Sequence, residues 1–89
     1  MSNEIRKLLK SKIQEWMEEK QIRFQMLQDK EQLAQSGIPC SYGTIAKLMY
    51  NARYNSMTPR LQCDLLTFFE VPHVRKFGLV ILGENGEGI

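Results

Sequence analysis

The sequence predicts a small all-α fold of four to five helices followed by a short C-terminal β-strand, and three observations predict it. No glycine or proline interrupts the chain before Gly37. Apolar residues then recur at helical spacing in successive stretches separated by capping and turn residues. The last apolar run breaks that rhythm, because Leu79-Val80-Ile81-Leu82 is continuous, rich in β-branched residues and bracketed by Gly78 and Gly83.

The first helix should run from Asn3 to Lys20, with Asn3 or Ser2 as its cap. Ile5, Leu8, Leu9, Ile13, Trp16 and Met17 form its apolar stripe, and Glu15, Glu18 and Glu19 fall on the opposite side, so the stripe faces a core rather than a membrane. Phe24, Leu27, Leu33 and Ala34 suggest a second helix that begins as late as Asp29, a good N-cap, and ends at Ser36-Gly37. Ile38-Pro39-Cys40 must be extended, since the residue before a proline avoids helical angles. Ser41 then caps a third helix to about Tyr50, with Ile45, Leu48 and Met49 inward and Tyr42, Gly43, Thr44 and Lys47 outward. A polar loop from Asn51 to Ser56 leads to Thr58-Pro59, the cap and first-turn proline of a helix carrying Leu61, Leu65, Leu66, Phe68 and Phe69 and ending near Glu70. Residues 76–83 read as a strand with Phe77, Leu79 and Ile81 on one face and Val80 and Leu82 on the other. No sheet inside the chain awaits it, so it should pair with the same strand of a second subunit, or else fold back along the first helix as core cover. Residues 84–89 should fray.

Composition narrows the function classes. With 89 residues, 43% hydrophobic and 25% charged, the chain builds one small core. The N-terminal alternation of charged and apolar residues excludes a signal peptide and a membrane span, which points to the cytoplasm. Cys40 and Cys63 lie far apart with no CxxC partner or histidine cluster, so they read as reduced thiols, Cys63 in the core, with no metal site. His73 reads as a surface turn residue. Nothing has the spacing of a nucleophile elbow, a phosphate loop or a metal-ligand set, so neither enzymatic activity nor a cofactor is expected.

Charge is placed unevenly. The net charge is only +2, yet no acidic residue occurs between Glu31 and Asp64. Residues 20–60 carry Lys20, Arg23, Lys30, Lys47, Arg53 and Arg60 against Asp29 and Glu31, a net of +4. A local anion-binding face follows from that asymmetry, and duplex DNA is the polyanion that a short, acid-free helix suits.

Over residues 10–72, Leu33-Ala34-Gln35-Ser36-Gly37-Ile38, Ser41-Tyr42-Gly43-Thr44-Ile45-Ala46-Lys47-Leu48, Tyr50-Asn51 and Thr58-Pro59 with the leucine-rich helix after it resemble a helix-turn-helix domain of the Cro and phage-repressor (XRE-like) type. The chain departs from that pattern by one residue fewer between Ala34 and Gly37, by Pro39 and Cys40 inserted before Ser41, and by Lys30 where the family has a glutamine. The resemblance implies a lambda-repressor-like DNA-binding domain over residues 1–74, a dimerisation strand over 75–83 and a flexible tail over 84–89. It implies base reading by Ser41, Tyr42, Gly43, Thr44 and Lys47, and phosphate binding by Lys30, Arg53, Tyr54, Asn55 and Arg60, with backbone donors at the helix starts by Asp29 and Ser41. Phe77, Leu79, Val80, Ile81 and Leu82 would form the dimer contact. The expected function is that of a homodimeric repressor reading a pseudo-palindromic operator. The competing expectation is an antitoxin or adaptor that binds a protein partner through its apolar C-terminal strand.

Overall fold

The computed structural model describes residues 3–75 and 79–81, and the chain is mostly helical. Helix α1 spans Asn3–Lys20, with Glu4 in its first turn and Lys20 in its last, each at the end where the helix dipole favours its charge. Its buried residues are Ile5, Leu9, Ile13 and Trp16, the centre of the predicted stripe, while Leu8 and Met17 at its edges are half-buried. The helix stops without a glycine. Gln21 takes φ 55°, and the N–H groups of Gln21 and Ile22 donate to the carbonyls of Glu18 and Met17 at 3.2 and 2.8 Å, which closes the last turn. No sequence signal marks a left-handed glutamine, so only the structure locates this end.

Residues Phe24–Gln28 form a short 3-10 helix that buries Leu27. Helix α2, Lys30–Ser36, starts after it on the Asp29 cap, whose carboxylate accepts from the N–H groups of Glu31 and Gln32 at 2.9 and 3.4 Å. The late start of this helix was therefore the right boundary, and residues 24–28 belong to a separate turn. Gly37 ends α2 at φ 78°, a left-handed angle that favours glycine, and its N–H donates to the Ala34 carbonyl at 3.2 Å. The Ser36 hydroxyl donates to the Leu33 carbonyl at 2.6 Å.

Helix α3 spans Tyr42–Tyr50 on the Ser41 cap, and helix α4 spans Pro59–Phe68 on the Thr58 cap, as their start signals predict. The α4 end repeats the device of α1: Glu70 takes φ 58°, and Val71 N–H donates to the Leu66 carbonyl at 2.8 Å. Between the helices lies a core of Ile5, Leu9, Ile13, Trp16, Leu27, Ile38, Ile45, Leu48, Met57, Leu65 and Leu66. Every described helical element except α2 contributes a fully buried side chain; α2 only leans Leu33 on that core. Phe68 and Phe69 are half-buried rather than central. They pack edge-on against Trp16 with ring centroids 5.9 and 6.5 Å away, tying the end of α4 to α1.

The C-terminal strand is not alone. β1, His73–Arg75, pairs antiparallel with β2, Leu79–Ile81, with His73 opposite Ile81, Val74 opposite Val80 and Arg75 opposite Leu79. This corrects two expectations: the strand finds its sheet within the chain, and a domain boundary between residues 74 and 75 cuts through β1. A three-residue His-Val-Arg strand just after Pro72 is too short and too polar to register as a β-run by itself. Leu79 and Ile81 pack against the helical core, so part of the presumed dimer contact is core cover, the alternative weighed for it. Phe77, Leu82 and the 84–89 tail lie outside the described residues, as does the side chain of Val80. Among the described residues no helix is long and apolar enough to cross a membrane.

Candidate nucleic-acid interface

The α3 start is built by hydroxyls. Ser41 Oγ accepts from the Thr44 N–H at 3.3 Å and lies 3.1 Å from Thr44 Oγ1, so the two hydroxyls are tied to each other as well as to the helix end. Ile45 and Leu48 are fully buried and fix the helix roll. At 100° per residue Gly43, Lys47 and Tyr50 then share the outermost line, while Tyr42 and Thr44 fall on opposite flanks. Both flank residues are half-buried, which corrects the expectation that Tyr42 and Thr44 point outward with Gly43 and Lys47.

Gly43 is exposed, and a Cβ built on it would meet nothing closer than Ser41 Oγ at 3.8 Å, an ordinary contact. The described residues therefore impose no steric need for glycine here, although glycine is a poorer helix former than alanine. Tyr50, to which the sequence assigned no role, is 76% exposed on the same side.

Tyr42 leans toward the 3-10 helix. Its ring centroid is 4.9 Å from that of Phe24, and its hydroxyl accepts a 3.1 Å hydrogen bond from Gln28 Nε2. Phe24 also meets Tyr50 edge-on at 5.3 Å, so residues 42 and 50, two turns apart on α3, close on one ring. Sequence reading took Phe24 as a helix core residue and passed over Gln28. The Gln28–Tyr42 bond spans 14 positions, beyond any local pattern.

Lys47 is exposed, and its Nζ sits 5.6 Å from the centre of the Tyr54 ring, within cation–π range. This brings a predicted base reader onto a predicted phosphate binder. Tyr54 is itself held: its N–H donates to the Asn51 carbonyl, and the Arg53 N–H donates to Asn51 Oδ1, both at 3.0 Å. That turn leaves the Arg53 side chain in solvent beside α3. Lys30, Asn55 and Arg60 are exposed too, Lys30 at the first position of α2 and Arg60 at the second of α4. The loop rests on a buried polar contact that the sequence did not reveal, since Gln62 is 4% exposed and its Nε2 donates to the Met57 carbonyl at 2.7 Å.

One electrostatic expectation is reversed. The Asp29 carboxylate occupies the free donors at the start of α2 and puts a negative charge there, so that end offers no anion site. The cysteines also exchange roles: Cys63 is half-buried outside the core cluster, whereas Cys40 packs against it. Burial pushes the Cys40 thiol from about 9 up to about 11. Both states keep the thiol neutral below pH 9; above it the unfolded chain ionises first, so this residue's contribution to stability falls as pH climbs from 9 toward 11. At pH 8, alkylation of Cys40 should be roughly 100-fold slower in the folded than in the unfolded chain, in proportion to its thiolate fraction. Mass-resolved labelling reads this directly, and equal rates would refute it.

Among the described residues no cluster of histidine, cysteine, aspartate or glutamate could hold a metal ion. Comparison of the chain with models of protein families, with curated proteins and with solved structures finds no match.

Proposed function

We propose that the chain is a helix-turn-helix transcriptional regulator of the Cro and phage-repressor type, which binds duplex DNA as a homodimer and acts mainly by occluding its operator. One observation carries the reading: the outermost line of α3 holds a glycine that the described residues do not sterically require, one helical turn from an exposed lysine, in a stretch free of acidic residues. A helix face with no side chain at that point can approach a nucleic acid closely, and Lys47 can then reach guanine acceptors in the major groove. In this arrangement α2 braces against the DNA backbone, Ser41 and Thr44 meet base edges or sugar-phosphate from the start of α3, and Lys30, Arg53, Tyr54, Asn55 and Arg60 bind phosphate along both sides. Those phosphate contacts supply most of the affinity and none of the sequence preference.

Two copies would read half-sites about one helical turn apart. The β2 edge turned away from β1 is where the same strand of a second copy would pair. The rival reading, an antitoxin or adaptor that presents the C-terminal strand to a protein, draws on Val74, 43% exposed on the hairpin. It is the weaker one, because it gives the exposed, acid-free face of α3 no role.

Selection of duplexes from a random pool at near-physiological salt tests the proposal, and an enriched inverted repeat is the expected result. Gly43→Ala should then separate fold from recognition. Gly43 is the second residue of α3, so helix propensity predicts only a small gain in stability, up to about 0.5 kcal/mol. Operator affinity should nevertheless drop on the order of ten-fold, because the added methyl group faces the groove. A variant that is more stable and binds the operator unchanged would remove α3 from the interface.

A further inference from the structure

We propose that Gln28, outside the helix-turn-helix face, sets Tyr42 as a one-way hydrogen-bond donor to a backbone phosphate of the DNA. This rests on the DNA-binding reading above and adds to it a positioning residue and the chemical class of its target.

A phenol hydroxyl can donate once and accept. In Tyr42 the acceptor side is engaged, because Gln28 Nε2 donates into it at 3.1 Å. The phenol proton must therefore point away from Gln28, toward whatever acceptor approaches from outside. Gln28 is exposed, so that acceptor reaches the hydroxyl from solvent. The ring cannot swing freely to look for another target. Phe24 lies against it with centroids 4.9 Å apart and planes inclined by 39°, and Phe24 is itself blocked on its other contact by Tyr50 at 5.3 Å.

Position selects phosphate over base. Tyr42 sits on the flank of α3 that faces the 3-10 helix and is half-buried there, off the outermost line of Gly43 and Lys47. For a helix lying in the major groove, base edges meet the outermost line and the sugar-phosphate chains run along the flanks. Tyr42 thereby leaves the base-reading set and joins Lys30 and Arg53 among the groups that fix register, while Phe24 and Gln28 determine where its hydroxyl stands.

The test uses the full chain and the operator it selects. Tyr42→Phe keeps the ring cluster and removes only the hydroxyl, and thermal melts confirm that it and Gln28→Ala remain folded. The expected result is an affinity loss of about 5- to 10-fold for Tyr42→Phe, equal on the operator and on its single-base variants. Gln28→Ala should lose a similar factor, and the double variant should be no worse than Tyr42→Phe alone, since the two act as one unit. On a duplex with a neutral methylphosphonate at the contacted position, wild type and Tyr42→Phe should bind alike. A change of preference at one base pair in Tyr42→Phe would make Tyr42 a base reader, and fully additive losses would free it from Gln28; either overturns the proposal. Wild-type protein that selects no duplex at all would remove the DNA reading itself, a different outcome from a Tyr42→Phe variant that matches the wild type on a selected operator.

Discussion

Alanine at both Lys47 and Arg53 is expected to weaken operator binding by about 100-fold or more at near-physiological salt and to leave the fold intact. Both side chains are exposed, and the bonds that hold the Asn51 turn come from backbone N–H groups that alanine keeps. What the fold loses is the cation–π contact of Lys47 with Tyr54, about 0.5–1 kcal/mol at an exposed site. The single variants should differ in kind. Lys47→Ala should relax the preference at one or two base pairs, while Arg53→Ala should weaken all sequences alike and lower the salt slope by about one unit. Titrations at several salt concentrations on the operator and a scrambled duplex give all four numbers. If the double variant bound the operator as the wild type does, α3 and its following loop would not be the interface, whatever the protein selects.

The second large effect is on stability. Gln62→Ala should cost about 3 kcal/mol, because it empties a buried volume and leaves the Met57 carbonyl without its 2.7 Å partner. That sum is a large share of the 5–15 kcal/mol that holds a domain together, so the denaturant midpoint should fall visibly in a urea titration. Function should suffer as well. Gln62 anchors Met57, a buried core residue, and with it the end of the loop that carries Arg53, Tyr54 and Asn55. At temperatures where the variant is still folded, its non-specific DNA affinity should drop, with selectivity preserved, since the loop supplies phosphate contacts. A midpoint within error of the wild type would show that the Gln62 bond adds nothing net.

Sequence by itself determined the elements whose signals are local. The Asp29, Ser41 and Thr58 caps, the left-handed Gly37, the first-turn Pro59 and the apolar stripe of α1 all act within one or two turns of chain, and each stands where its pattern puts it. The buried pair Ile45 and Leu48 was equally legible, and it fixes which side of α3 faces solvent. Tertiary structure alone decided the rest. Non-glycine residues close α1 and α4 at Gln21 and Glu70 because packing beyond the helix end outweighs a left-handed cost of about 1 kcal/mol that no residue type announces. His73–Arg75 became a strand only because Leu79–Ile81 offered it a ladder, and Cys40 rather than Cys63 packs against the core because Ile38, two residues before it, is buried there. Tyr42, read as outward from its place on the helix, was drawn aside by Phe24 and Gln28. Contacts between residues far apart in sequence leave no periodic trace, and it is these contacts that position the side chains of the proposed interface.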